Sequence, residues 1–131
     1  MEISPESERL EKFWKRCGFT WQFAWQWIYP DRQFHSYLPE LTLDNLFKYA
    51  VSKLLESARC GISLQGTKDG WDCHILVETH PYIAVEAYKN KPELALFEAL
   101  EKAIVNDATI KLAKRGHKLI NEDNRLLEVK E

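Results

Sequence analysis

Four polar side chains in the middle of the sequence have the chemistry that general acid–base catalysis uses. Asp72, His74 and Glu78 have the same parity along the segment WDCHILVE, and Glu86 lies on the apolar segment that follows. If both segments are strands, these carboxylates and the imidazole share one face of a sheet. A small hydrolase that uses His74 with Asp72 or Glu78 is therefore one interpretation. A solvated sheet face, which antiparallel sheets commonly have, is the interpretation we prefer.

The rest of the sequence contains no recognisable catalytic or metal-binding motif. It has no nucleophile elbow, no glycine-rich phosphate loop and no HExxH pair. Cys73 and His74 are adjacent, so on a strand they point to opposite faces and do not easily share a metal. We therefore predict no cofactor and no metal, and we favour a non-catalytic protein.

The segment FTWQFAWQWIYPD has an aromatic residue at every odd position from Phe19 to Tyr29. Side chains two apart along a strand share a face, so we expect one strand with an aromatic face that starts after Gly18. The Tyr-Pro-Asp turn ends it. The segment QFHSY is expected to return as a partner strand and to place His35 and Tyr37 near the last rings of this aromatic ladder.

Each large aromatic side chain buries roughly 150–250 Å² of surface when it is packed in a core. Burial of all six therefore needs more partner surface than one edge of a small domain supplies. We expect Phe19, Trp21 and Phe23 to be core, and one alternative is that every ring is core. In the other alternative, a second copy of the chain or a flat ligand covers the last rings, and Arg32 at the turn meets a phosphate. The predicted binding residues are Trp25, Trp27, Tyr29, Arg32 and His35.

Capping residues and apolar periodicity predict three helices. The first covers residues 5–17, with Ser4 as its cap. The second begins at Thr42 and ends at Gly61. The third begins near NKPEL, either with Asn90 and Glu93 as a capping box or with Pro92 in the first turn, and ends at Gly116. The predicted buried face of the second helix consists of Leu43, Leu46, Phe47, Ala50, Val51, Leu54, Leu55 and Ala58.

Between the second and third helices the apolar period changes from 3.6 to 2, which indicates three strands with the turn GTKDG after the first. The predicted class is α+β: an antiparallel β-sheet packed with α-helices as an α-β-α sandwich, with the C-terminal core order α-β-β-β-α. We expect a single domain over residues 1–116. Residues 117–131 form a polar C-terminal extension that is mobile or joins an oligomer.

The same order of elements occurs in double-stranded-RNA-binding domains, but those domains grip phosphates with a basic final helix. Here that helix begins KPELALFEALE, which is acidic, and the formal net charge is −2. We therefore do not expect nucleic acid as a partner, although a nucleic-acid-binding accessory protein stays as an alternative. The acidic, polar N-terminus and the absence of a long apolar run predict no membrane partner. The three cysteines form no CxxC pair, which fits a protein of the reducing cytoplasm. We expect all three cysteine side chains to be buried in the protein.

Three segments of the chain resemble the phage ABA sandwich family of small bacteriophage and prophage proteins. They are FWKRCGFTW, WIYPDRQFHSYLPELTLDNLFKYAVSKL and PYIAVEAYKNKPELALFEALEKAI, and the likeness covers roughly residues 10–106. The resemblance implies the sandwich fold and a phage or prophage setting in the bacterial host cytoplasm, but it supplies no catalytic residues. We therefore predict an accessory binding protein that forms a homo-oligomer. Its aromatic hairpin binds a host protein or a small nucleotide-like ligand.

Overall fold

The structure is a computed structural model that describes residues 6–22, 26–79 and 81–123, with side chains described as far as Asp107. The described helices are α1 (Ser7–Arg16), α2 (Leu43–Asn45), α3 (Ser52–Leu55) and α4 (Pro92–Asp123), and a π-helical segment, Leu46–Val51, joins α2 to α3. The described strands are β1 (Thr20–Gln22), β2 (Gln26–Ile28), β3 (Phe34–His35), β4 (Cys60–Gly66), β5 (Trp71–Val77) and β6 (Ile83–Lys89). They form two antiparallel sheets of three strands each, β1-β2-β3 (sheet A) and β4-β5-β6 (sheet B). The predicted α+β class is confirmed.

Sheet B has the alternating pattern that the sequence predicts. Cys73, Ile75 and Val77 of the central strand β5 are buried, and α4 packs on this inward face against β5 and β6. The intervening side chains point outward, and the register places Ser63, His74 and Glu86 side by side across the three strands. The order helix, strand, strand, strand, helix therefore agrees with the prediction from residue 43 onward.

The outward face of sheet B is open to solvent. His74, Leu76 and Glu86 are all exposed on it. Within the described residues the helical cover lies on the inward face, where α4 contacts the sheet. The second helical layer expected of an α-β-α sandwich is not found over this face in the part of the chain that the structure describes.

Sheet A corrects the expectation that the aromatic ladder is one continuous strand. The ladder folds on itself, because β1 pairs antiparallel with β2 and places Trp21 opposite Trp27. Gln22 pairs with Gln26, so residues 23–25, which lie outside the described residues, connect the two strands. In this register each odd-numbered residue of β1 pairs with an odd-numbered residue of β2. The hairpin therefore places Trp21 and Trp27 on the same side of the sheet, as a single strand would.

The second predicted helix is segmented and its phase differs from the prediction. Its start is confirmed, because the Thr42 hydroxyl accepts a hydrogen bond from the Asn45 backbone N–H at 3.2 Å. The π-helical segment has more residues per turn than an α-helix, so it rotates the positions that follow. Tyr49, within this segment, is buried, whereas Phe47 and Leu55, both predicted to be core, are exposed.

Two of the three predicted helix ends are wrong. The segmented helix ends at Leu55 rather than at Gly61, which lies in β4. The Ser57 hydroxyl holds the following turn by donating to the buried Asp107 carboxylate at 2.7 Å. Helix α4 continues through Gly116 to Asp123, because one glycine costs only about 1 kcal/mol in a helix. The end of α1 before Gly18 is confirmed, but its predicted start at residue 5 is wrong, because Glu6 is extended and the helix begins at Ser7. The predicted cap Ser4 lies outside the described residues.

All three cysteines are free thiols. Cys17 and Cys73 are buried as predicted, while Cys60 is half-buried. Burial raises the pKa of the Cys17 thiol to about 12 and that of the Cys73 thiol to about 11. These thiols are therefore protonated near neutral pH, which makes them poor nucleophiles and poor metal ligands.

A search of the described helices for membrane spans finds none that is both long and apolar enough to cross a bilayer.

Candidate functional site

The candidate site is a row of three ring-bearing residues across sheet A. Trp21 of β1 lies opposite Trp27 of β2, which lies opposite His35 of β3. The centroids of the two indole rings are 5.1 Å apart with an interplanar angle of 61°, an edge-to-face arrangement. The row therefore combines three aromatic groups on strands whose register sets their spacing.

One end of the aromatic face is closed by the core of the protein. The rings of Phe19 and Tyr29 contact each other at 4.6 Å, and Trp14 of α1 and Tyr49 of the π-helical segment pack against them. The Tyr29 hydroxyl donates to the Tyr37 backbone carbonyl at 2.7 Å, and burial raises the pKa of Tyr29 to about 12. This end of the face is structural.

The other end of the aromatic face opens into a cavity of about 360 Å³ that is lined by Glu11, Lys15, Trp21, Trp27 and Ser36. The Trp21 side chain is 45% exposed there, whereas Trp27 is 8% exposed. The Lys15 ammonium lies 5.9 Å from the centre of the Trp27 ring and 3.1 Å from the Glu11 carboxylate. The cavity thus combines an accessible indole with a cation, an anion and a hydroxyl.

The structure corrects the predicted division of the ladder into core and binding residues. Trp27 and Tyr29 were expected to need cover from outside the chain, but they are 8% and 6% exposed because Lys15 and Tyr49 pack on them. Trp21, predicted to be core, is exposed instead. Phe19 is core as predicted, and Phe23 and Trp25 lie outside the described residues.

Arg32 and His35 occupy different parts of sheet A. Arg32 lies exposed in the turn between β2 and β3 with a φ of 68°, and its backbone N–H donates to the Tyr29 carbonyl at 2.8 Å. His35 is half-buried, with its ring 4.4 Å from that of Tyr29 and 5.2 Å from that of Tyr37. The structure brings His35 into the aromatic row, as predicted, but leaves Arg32 in the turn and outside the cavity lining.

Sequence reasoning missed the polar lining of the cavity. Glu11 and Lys15 are four residues apart on α1, and that spacing predicts an exposed ion pair on a helix. Nothing in the local sequence shows that this pair lies against the Trp27 ring. Ser36 follows β3 directly, so the predicted return strand through His35 was the signal for its position.

The second predicted set lies on the outward face of sheet B. His74 Nε2 is 3.3 Å from Asp72 Oδ2, and the register places Ser63 and Glu86 on either side of His74. A shallow groove of about 480 Å³ runs past Ser63, His74 and Leu76. Glu78 does not join this set, since its carboxylate is 3.9 Å from Arg59. The structure therefore brings three of the four predicted polar residues together on an open surface.

Among the described residues no group of three or more His, Cys, Asp or Glu side chains is placed to hold a metal ion. Comparison of the chain with protein-family models, with curated proteins and with solved structures finds no match.

Proposed function

We propose that the protein is a binding protein whose aromatic row on sheet A holds a flat, nucleobase-like ring. The observation that carries the proposal is the exposed Trp21 indole, set edge-to-face on Trp27 at the mouth of a cavity that also presents charged groups. Exposed indoles are uncommon on the surface of a protein, because burial of a large ring is favourable.

Stacking on Trp21 supplies the affinity. A base stacked on an aromatic side chain is worth roughly 1–3 kcal/mol. Trp21 is held in place by its contact with Trp27, whose own ring is buried. The ligand therefore meets an indole with little freedom left to lose, which lowers the entropic cost of binding.

The polar groups of the cavity favour a ring with both donors and acceptors at its edge. Lys15 and Glu11 form an ion pair at 3.1 Å, so the cavity is close to neutral and does not attract a phosphate strongly. A carbonyl or ring nitrogen of a base can accept from Lys15, and an exocyclic amine can donate to Glu11. The Ser36 hydroxyl can do either.

The proposed setting is that of a small phage or prophage accessory protein in a bacterial host cytoplasm. This part of the proposal rests on the resemblance of the three sequence segments to the phage ABA sandwich family.

The experiment is a titration of the full chain with the common nucleosides and nucleoside monophosphates, followed by tryptophan fluorescence and by thermal shift. We expect at least one base to bind and Trp21→Ala to weaken that binding by about tenfold or more, which corresponds to a lost stacking contact. Tyr82→Ala removes an exposed aromatic side chain just before β6 and is the matched control. Failure of every nucleoside and nucleotide to bind, or equal affinity of Trp21→Ala and the parent chain, would refute the proposal.

A hydrolase is a second candidate, favoured by the 3.3 Å contact between Asp72 and His74 beside Ser63. In this version His74, oriented by Asp72, is the general base that activates Ser63. A panel of small chromogenic esters tests it. Hydrolysis that is lost in both Ser63→Ala and His74→Ala supports the candidate, and an activity that either variant retains contradicts it.

A further inference from the structure

Helix α4 is about twice as long as the sheet on which it packs. Its 32 residues span about 48 Å, while the seven-residue strands of sheet B span about 23 Å. The helix starts just after β6, and residues 92–107 already account for about 24 Å of its length. The remaining part, residues 108–123, which we call the distal segment, must therefore extend beyond its own sheet.

The outward face of sheet B has an apolar centre with room on both sides. Leu76 is 43% exposed there. Its cross-strand neighbours are Gly61 and Ala84, two of the smallest residues, so the Leu76 side chain stands between two depressions. Tyr88 is exposed on the same side of β6, and Tyr82 is exposed just before that strand begins. Helices commonly pack on apolar sheet faces, and the depressions on either side of Leu76 can accept side chains of such a helix.

The charges of the outward face and of the distal segment are opposite. Asp72 and Glu86 place two negative charges on the face, while the charge of Glu78, after the end of β5, is balanced by Arg59 at 3.9 Å. The distal segment contains four basic residues and two acidic residues, and the acidic residues, Glu122 and Asp123, are at its end. Lys111, Lys114, Arg115 and Lys118 are spaced i, i+3, i+4, i+7, so these positions share one side of the helix. Leu112 and Leu119 lie beside that basic stripe.

We propose that the distal segment of one copy of the chain packs across the outward face of sheet B in a second copy, and that the second copy does the same in return. The distal segment has 16 residues and is about 24 Å long, which matches the length of the strands that it would cover. The exchange completes the α-β-α sandwich between two chains. It makes a symmetric dimer in which each copy supplies one helix and one sheet face.

The area of this interface fits a stable dimer. One three-stranded face measures roughly 23 Å by 14 Å, or about 330 Å². The exchange forms two such contacts and buries both sides of each, so it removes roughly 1,300 Å² from solvent, within the range of specific interfaces. In a dimer in which the two outward sheet faces pack on each other there is only one such contact, so the buried area would be half as large. The exchange of helices is therefore the better explanation of the exposed face.

The proposal is independent of ligand binding at sheet A, and it places the groove beside Ser63 and His74 under the partner's helix. A hydrolase site there would be closed to substrate in the dimer.

Two charge-reversal variants test the exchange. The sheet variant carries Asp72→Lys and Glu86→Lys, and the helix variant carries Lys111→Glu and Lys114→Glu. A control with Lys12→Glu and Lys68→Glu reverses the same number of charges at exposed positions off the proposed interface. The oligomeric state of each full chain is measured by size exclusion with light scattering over a concentration series.

We expect the parent chain and the control to be dimers, and each reversal variant to dissociate with a Kd raised about tenfold or more, because like charges then face each other in both contacts. An equal mixture of the sheet and helix variants should recover the dimer, since every contact in the mixed pair joins opposite charges. A monomeric parent chain, dimeric reversal variants, or a mixture no tighter than its components would each overturn the proposal. Nucleoside titration of the same variants separates this outcome from that of the ligand proposal.

Discussion

Sheets A and B have the same number of strands and the same antiparallel order, yet their inward faces differ in chemistry and in cover. Sheet B buries aliphatic residues such as Ile75 and Val77 under α4, whereas sheet A buries the rings of Phe19 and Tyr29 under Trp14 and Tyr49. The strands of sheet B have seven residues and those of sheet A have two or three.

The two sheets also differ in how much of the inward face is closed to solvent. The part of α4 that lies over sheet B is as long as the strands, so the inward face of sheet B is closed. Helix α1 has 10 residues and spans about 15 Å, which is longer than the strands of sheet A, so helix length does not explain why Trp21 is exposed. Trp21 lies on the edge strand β1, whereas Trp27 on the central strand β2 is buried. Alternation in a sequence thus predicts which side chains face inward, and the place of a strand in its sheet determines which of them reach solvent.

The largest expected effect is at the closed end of sheet A. Trp14 is 1% exposed and contacts Phe13, Phe19 and Tyr49, so Trp14→Ala should lower the free energy of unfolding by about 3–5 kcal/mol. Trp21→Ala, at the open end, should lower it by less than about 1 kcal/mol. Urea unfolding followed by circular dichroism measures both values. Similar losses in the two variants would show that the two ends of the aromatic face do not differ.

Sheet B should show the same contrast between its two faces. Ile75→Ala should lower the free energy of unfolding by about 2–5 kcal/mol, because the side chain is fully buried under α4. Its neighbour Leu76 points to the outward face, and in the monomer Leu76→Ala should cost under about 1 kcal/mol. The comparison is made in urea at a concentration low enough to dissociate a dimer. A large loss in Leu76→Ala under those conditions would mean that its own chain covers this face.

The hairpin turns of the two sheets should respond to glycine in opposite ways. A Cβ on Gly70 in the turn of sheet B would lie 2.7 Å from the Lys89 backbone oxygen, so Gly70→Ala should destabilise the fold by about 1–3 kcal/mol. Arg32 in the turn of sheet A has a φ of 68°, which strains a residue with a Cβ. Arg32→Gly should therefore stabilise the fold by about 0.5–1 kcal/mol. Thermal and urea unfolding test both, and a less stable Arg32→Gly variant would indicate that its side chain packs in the turn.

The smallest expected effect is the pH dependence of the contact between α4 and sheet B. Partial burial opposes ionisation of Glu98, but hydrogen bonds and charges from Lys89 and Lys102 outweigh it and lower the pKa of Glu98 below its ordinary value of 4.5. A carboxylate with a lowered pKa stabilises the folded state above its ordinary pKa, and this contribution is lost as the pH falls through the lowered value. Urea midpoints at about pH 7 and about pH 3 should therefore differ less in Glu98→Gln than in the parent chain. The exposed Glu8→Gln is the control, and an unchanged difference in Glu98→Gln would contradict the expectation.

Sheet B and the start of its helix could be predicted because local and tertiary preferences agree there. The alternation of Cys73, Ile75 and Val77 with polar residues marks an inward face, and α4 begins at Pro92 as the capping rules require. Thr42 likewise caps its helix through a bond to a residue three positions along the chain. In each case the deciding contact lies within one element or between neighbouring strands.

The remaining features depend on contacts that no local pattern records. The hairpin in the aromatic ladder has no Gly, Pro or Asn at residues 23–25 to mark a turn. Because odd-numbered residues of β1 pair with odd-numbered residues of β2, the alternation of aromatic and other residues is the same as in a single strand and does not reveal the hairpin. The phase change at Tyr49 follows from packing against Trp14 and Phe19. In the candidate site Trp27 and His35 were predicted, but Trp21 was predicted to be core and Lys15 was not predicted. The place of Lys15 beside Trp27 is set by how α1 lies on sheet A.

The three buried or half-buried thiols give the molecule internal reporters of its own motion. A protonated, enclosed thiol reacts with an alkylating reagent only when the surrounding structure opens, so its labelling rate measures local unfolding. Cys17 lies in the aromatic core beside sheet A, Cys73 at the centre of sheet B and Cys60 at the first position of an edge strand. Mass spectrometry after brief labelling can therefore time the opening of the two sheets separately in the native chain, without an introduced probe.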